Sequence, residues 1–436
     1  MATRIFSRRV LAAVAASGIA LAGCRDALTA TNPKVIDEGS LNNAALSTVL
    51  LNSAVGALNT NYSELSWFSA IITDEALNAT NDYRSGELSQ RIVELAQGNI
   101  GPYGALQFTR ATADTSASLL RTLSAKPVGD LKLARALAYA GFGYEYLGEF
   151  TCEAPINNGP MQSDAQLFTT ALARFKEAIT DATITPSNPV ADSIVNLARV
   201  GAARASLNLG DKAGAIAYAS AVPANFVVYA DYIVSGNTAL NNTLWGRVNG
   251  QNKQLGVHPL MQGLNDPRVR YVTKAVLGHN QLTLLNVPYS PRSFSTFTYT
   301  DSTPILANSS IDIASGLEAR YIRAEAEGPT ALTIALVNER RAYGNEPVLP
   351  AGADVMAALR EEKRRDFFLA GRRLGDLRRY KAQGVGDFFP TGQHPTKEWG
   401  LYGSAYCYIV TQDEVNSNPN LAGYTAPSTR PPGYSP

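Results

Sequence analysis

What most constrains the fold is a run of segments in which small residues return at helical spacing. DLKLARALAYAGFGYEYLGEF, Asp130 to Phe150, carries Ala134, Ala138 and Gly141 on one side and Tyr139, Phe142 and Tyr146 on others. Small side chains let a second helix approach closely, and large ones fill the space between. QLFTTALARFKEAITDA continues the period with Leu167, Ala171, Leu172, Phe175, Ala178 and Ile179. SIVNLARVGAARASLNLGDKAGAIAYASAVP then reads as helix, Leu-Gly-Asp turn, helix and a closing Pro223.

These are the mechanics of degenerate helix-turn-helix repeats of the tetratricopeptide kind, and they predict a mainly α protein. Upstream, LNNAALSTVLLNSAVGALN aligns Leu41, Ala45, Val49, Leu50 and Val55 in one stripe. SELSWFSAIITDEALNA reads as a second helix with Ser63 at its N-cap. Periodicity places a helical core over 41–223 and 310–383. Between them, 224–309 is rich in Asn, Gly, Pro, Thr and Tyr and reads as an irregular, loop-rich lobe with small β-hairpins; 384–436 reads as a loop-rich tail. Irregular segments carried on a rigid body are where binding residues usually sit.

The N-terminus carries a different signal. Arg4, Arg8 and Arg9 precede the apolar stretch VLAAVAASGIAL, which is too short to span a bilayer, and the pattern reads as a secretory leader over 1–23. It ends in Leu21-Ala22-Gly23-Cys24, which resembles the lipobox of bacterial lipoproteins, with Cys24 the lipidated N-terminus. Each buried methylene of such acyl chains adds about 0.8 kcal/mol, so the anchor needs no spanning helix. Residues 24–40 read as a tether and 41–436 as the folded body. The sequence after Cys24 favours the outer membrane, and its outer face over the periplasmic one. Cys152 and Cys407 remain, and an oxidising compartment allows them either to pair or to stay as separate buried thiols.

A formal net charge of +1 over 436 residues argues against nucleic acid as a partner. His258, His279 and His394 are the only histidines, and none has metal-ligand spacing. There is no GxSxG, no glycine-rich phosphate loop and no CxxC. Acidic pairs such as Asp74-Glu75 point to different sides of a helix. The expectation is a protein without catalytic residues, metal or cofactor.

One stretch stands against this neutral background: EEKRRDFFLAGRRLGDLRRY, Glu361 to Tyr380, holds seven Lys or Arg and four acids. A single helical face through Val355, Leu359, Glu362, Asp366, Leu369 and Arg373 runs an apolar stripe through two carboxylates. Buried acids need charged partners. The spacing pairs Arg365 with Glu361 and Glu362, and Arg372, Arg373 and Arg379 with Asp376, so the stretch reads as a self-paired structural network of Glu362, Asp366, Arg372, Arg373 and Asp376.

These residues also resemble the C-terminal signature of the SusD/RagB-like outer-membrane lipoproteins. Glu362-Lys363-x-x-Asp366, Ala370-Gly371-Arg372-Arg373 and Asp376-Leu377-Arg378-Arg379-Tyr380 stand in its order and spacing, with Lys363, Asp366 and Ala370 departing from its usual residues. Glu318 to Ala326, Leu336 to Ala342, Thr73-Asp74-Glu75 and Gly148-Glu149-Phe150 extend the similarity over nearly the whole chain. The resemblance implies a right-handed tetratricopeptide-like superhelix packed with the irregular lobe. It also implies that the protein captures a nutrient, with oligosaccharide favoured, and delivers it to a SusC-like TonB-dependent transporter. Only the lipid anchor would touch the membrane.

Sugar rings stack their apolar faces on Trp and Tyr while amides, carboxylates and Arg bond their hydroxyls. On that chemistry the ligand-binding candidates are Asn241, Trp245 and Arg247 in the lobe, Asn81, Tyr83 and Arg84 after the Asp74 segment, and Tyr289 and Trp399. Trp67, beside Phe68, is assigned to the core. The alternative is a tetratricopeptide-type scaffold or assembly lipoprotein whose ligands are protein segments.

Overall fold

The chain folds, in a computed structural model, around a long first helix. The structure describes residues 44–78, 82–95, 101–185, 188–234, 240–249, 255–269, 271–277, 284–288, 307–396 and 399–432. The leader, Cys24, the tether, Asn81 and Tyr289 lie outside the described residues. The compact unit that holds the described helices and strands runs from Ser47 to Pro436.

Helix α1 spans Ser47–Ile72 without interruption, so the two helices expected here are one. No Pro breaks the register, and Asn61 sends its amide back to the Ala57 carbonyl (3.0 Å) instead of ending the helix. Ser63 is therefore interior and buried, not a cap. The expected helical continuation DEALNA becomes a turn and strand β1, Ala76–Asn78, followed by α2, Tyr83–Ser89.

Helices α3 (Tyr103–Leu123) and α4 (Leu131–Phe150) come next, followed by the antiparallel pair β2 (Glu153–Pro155) and β3 (Met161–Ser163). Then follow α5 (Asp164–Thr183), α6 (Pro189–Asn208) and α7 (Lys212–Ser220). Asp130, Asn188 and Asp211 side chains cap their helices, and Ser163 with Gln166 forms a capping box. From α3 to α7 each helix packs on the next. The small residues do what the pattern predicts: a Cβ on Gly141 of α4 or Gly201 of α6 would fall 2.6 or 2.2 Å from the Phe175 ring of α5. Phe175 thus fills both helix interfaces.

The segment expected as an irregular lobe pairs with the helical body at several points. β4 (Val227–Ala230) pairs antiparallel with β8 (Ile311–Ser315), with a register shift at Val228/Tyr229. Helix α8 spans Thr243–Asn249, and β5 (Leu255–Val257) pairs with β1 across Ala76 and Val257. Among the described residues, only β6 (Tyr271–Leu277) and β7 (Leu284–Pro288) pair within the segment itself. Helices return as α9 (Gly316–Glu327), α10 (Ala331–Tyr343), α11 (Val355–Asp366) and α12 (Arg373–Ala382); α13 (Gln412–Ser417) lies in the tail. Cys152 and Cys407 are joined as a disulfide, tying the end of α4 to the tail beside the Thr151–Tyr408 bridge.

The cationic stretch is structural, but its pairing differs from the local reading. It is not one helix: α11 stops at Asp366, Leu369 (φ 58°) and Gly371 (φ 78°) turn the chain, and α12 starts at Arg373. The turn sends most of its charges to distant elements. Arg373 binds Asp74 with two hydrogen bonds (2.7 and 2.8 Å), not Asp376. Arg372 faces Glu318 (3.1 Å). Glu362 accepts from Arg268 (2.7 Å), and Asp366 accepts from Arg340 (2.7 and 2.9 Å) and from the Tyr321 hydroxyl. Asp376 takes Lys363 (2.7 Å) and Arg379 (2.6 Å), and only the Arg379–Asp376 and Arg365–Glu361 pairs match the spacing argument. Glu362, Arg372, Arg373 and Asp376 are all buried, so each pair lies inside the fold and clamps α1, α9 and α10 to the C-terminal helices.

Candidate functional site

The turn after α1 positions the surface above it. The Thr73 hydroxyl donates to the Ser69 carbonyl (2.8 Å), and Asp74 and Glu75 are buried below. Burial alone would raise the Asp74 carboxyl, but the Arg373 and Arg364 guanidiniums outweigh it and hold Asp74 well below the usual carboxylate range. At Glu75 burial outweighs the pull of the Leu369 N–H and of the same two guanidiniums, and pushes it up to about 8. His258 and His394 serve as neutral wedges: burial lowers each to about 4. Tyr402 sits between them, its hydroxyl 3.1 Å from His258 Nε2 and its ring 4.9 Å from that of His394. Among the described residues no three His, Cys, Asp or Glu side chains converge as a metal ion requires.

On this base α2 begins. The Asn78 N–H donates to Ser89 Oγ (3.1 Å), which folds the end of β1 against the end of α2. The N-terminal turn of α2 then faces outward, with Asp82, Tyr83 and Arg84 exposed and Tyr83 showing 53% of its surface. Beside it, the Arg247 guanidinium of α8 lies 3.9 Å from the centre of the Trp67 ring. Trp67 is buried, as expected, but it is the platform under Arg247 and not an anonymous core residue. Partial burial lowers the Arg247 pKa, and Glu64 and Asp82 oppose that shift. Burial likewise raises Glu64, and Arg247 offsets part of it. Two groups of candidates drawn from separate parts of the sequence, around Tyr83 and around Arg247, are therefore within electrostatic reach of one another.

Trp399 joins them from the tail. Its indole lies directly on Gly86 of α2, where a Cβ would fall 1.7 Å from the ring, so only glycine provides the seat. The Gln90 side-chain amide donates to the Trp399 carbonyl. Arg91, at φ 63°, holds the surrounding loop by donating to the Ala405 and Pro390 carbonyls (2.7 and 2.6 Å).

The remaining candidates are placed differently. Asn241 is buried, and the structural work at this point is done by Asn242. Its side chain donates to the Ser309 carbonyl (2.6 Å) and accepts from Leu244 N (2.8 Å). Trp245 is half-buried and shares α8 with Arg247. Two residues apart on a helix, the pair cannot present one face. Sequence reasoning missed Glu64, Asp82 and Gly86. A glycine inside the helical YRSGELS was the one signal available for the last of them.

An exposed Tyr ring, an indole fixed by its seat, a guanidinium stacked on a second indole and two carboxylates make a surface that is apolar in planes and polar at the edges. That combination suits flat ligands with hydroxyl rims. Among the described residues it shows no arranged nucleophile and base.

No family model and no curated protein matches the sequence. Solved structures do match in fold. A SusD-like carbohydrate-binding protein from Bacteroides vulgatus superposes with a TM-score of 0.62 at 14% identity, covering 87% of this chain and 97% of that one. Surface glycan-binding protein A from Bacteroides thetaiotaomicron, in complex with laminarihexaose, gives 0.63 at 13% identity over 86% and 98% of the two chains. Its counterpart from Bacteroides uniformis gives 0.63 at 13% over 87% and 98%. The chain has the mainly α SusD-like fold.

Proposed function

We propose that the protein binds an oligosaccharide on the face formed by Tyr83, Arg84, the Arg247–Trp67 stack and Trp399, without chemical turnover. What supports this reading is that Tyr83 opens α2, Trp399 packs on Gly86 one turn later, and Arg247 lies within electrostatic reach of Asp82 next to Tyr83. The glycan-binding proteins that share the fold support it. Cys24 anchors the chain by lipid to the outer membrane, facing outward, and the bound glycan passes to a SusC-like TonB-dependent transporter. Affinity isolation of the tagged protein from native outer membranes tests the whole reading. The expected result is co-isolation of a large outer-membrane barrel. A chain recovered alone, or recovered in the soluble fraction with Cys24 unmodified, would contradict the partner and the anchor respectively.

A further inference from the structure

A second cleft shares no residue with the Tyr83–Trp399 face. Strands β4 and β8, the end of α10 and the turn after α11 enclose about 410 Å³. That lies at the small end of ligand pockets, which run from roughly 300 to 1,000 Å³, and it is too small to admit a folded partner. Its floor is built: Arg268 and Phe367 are buried, the Asp366 side chain is only 2% exposed, and Arg340 grips Asp366 with two hydrogen bonds. Its mouth is open, since Val227 is 37% and Tyr343 42% exposed.

The lining selects a class of ligand. Arg268 and Arg340 are balanced by Asp312 and Asp366, and each is already ion-paired, so no net field draws an anion or a cation. Tyr229, Phe367 and Tyr343 supply apolar ring faces, and the Arg340 guanidinium stacks 4.6 Å from the centre of the Tyr343 ring. One buried donor is left over. Arg268 Nη1 is 3.3 Å from Asp366 Oδ1 yet has no hydrogen-bond partner among the described residues. A buried N–H without an acceptor is costly, and a ligand oxygen in the cleft would relieve it. Aromatic planes, balanced charges and a spare donor fit an uncharged, hydroxyl-rich ring.

We infer that this cleft is a second carbohydrate subsite, sized for one or two neutral sugar rings. The inference rests on the oligosaccharide-binding reading and adds a separate location to it. The test uses the full chain labelled with 3-fluorotyrosine, titrated with laminaribiose, maltose and cellobiose and, separately, with inorganic phosphate. Fluorine resonances of Tyr229 and Tyr343 report the cleft, and that of Tyr83 reports the exposed face. At least one disaccharide is expected to shift the Tyr229 and Tyr343 signals, while phosphate shifts neither. Val227→Trp, which fills the mouth from a strand position already paired with Ser315, is expected to weaken that response about tenfold or more and to leave the Tyr83 response intact. Tyr343→Ala, at an exposed position, is expected to weaken it as well. A Tyr83 response with none at Tyr229 and Tyr343 overturns the second subsite and leaves the proposed function standing. Silence at all three overturns both. A cleft response that persists in Val227→Trp, or that phosphate reproduces, overturns the inference alone.

Discussion

Replacing Glu75 by Gln isolates one buried carboxyl whose protonation the fold controls. Glu75 is fully buried. Its Oε1 accepts from Leu369 N (2.9 Å), fixing the left-handed turn between α11 and α12, while Oε2 has no hydrogen-bond partner among the described residues. Burial raises it from an ordinary 4.5 to about 8; the Leu369 N–H resists the rise and the Asp74 charge adds to it. Between those values the unfolded chain loses a proton that the folded chain keeps. Stability therefore falls as pH rises from 4.5, by about 1.4 kcal/mol per pH unit, and the loss levels off above 8. At pH 7 the cost reaches at most about 3.5 kcal/mol. Gln keeps the acceptor for Leu369 N and carries no titration. Urea denaturation from pH 4 to 8.5 is expected to show Glu75→Gln within about 1 kcal/mol of the parent at pH 4, and increasingly more stable toward pH 8. Parallel pH profiles, or a variant weaker than the parent at pH 7, would refute a neutral Glu75 and with it the burial assigned to this turn.

Other consequences are as direct. Cys152→Ser with Cys407→Ser opens a loop with a sequence separation of 255, and on the chain-entropy model the urea midpoint should fall by the equivalent of up to about 5 kcal/mol. Asp376→Ala leaves Lys363 and Arg379 buried against a missing charge. It should cost about 3–5 kcal/mol and folding yield, while the surviving folded protein keeps its glycan affinity. Gly86→Ala removes the seat of Trp399, so tryptophan fluorescence should shift toward a solvent-exposed spectrum, and glycan affinity should drop at least several-fold with the melting temperature little changed.

Helix content was legible because it follows from local spacing: Gly141 and Gly201 stand where the repeat pattern requires small residues, and Phe175 fills both gaps. The partners of charged residues were not, because periodicity reaches only one helical turn. Arg373 meets Asp74, and Arg372 meets Glu318, only once Leu369 and Gly371 have turned the chain. The same limit produced the extra break at Ser63, whose hydroxyl receives Thr243 N (2.9 Å) from a segment far along the chain. At the candidate site, residue type was informative for Tyr83, Arg247 and Trp399, whereas their convergence depends on β1 pairing with β5 and on the Arg91 loop. Asn241 has the right chemistry and is buried.

The central claim is that the α2-centred face binds a neutral oligosaccharide. A glycan array probed with the parent chain, Tyr83→Ala and Arg247→Ala measures it most directly. The parent is expected to retain at least one uncharged oligosaccharide, with each variant losing about 1–2 kcal/mol of affinity for it, roughly a tenfold change, and keeping its melting temperature. Equal binding by all three proteins, or binding by none, would contradict the account.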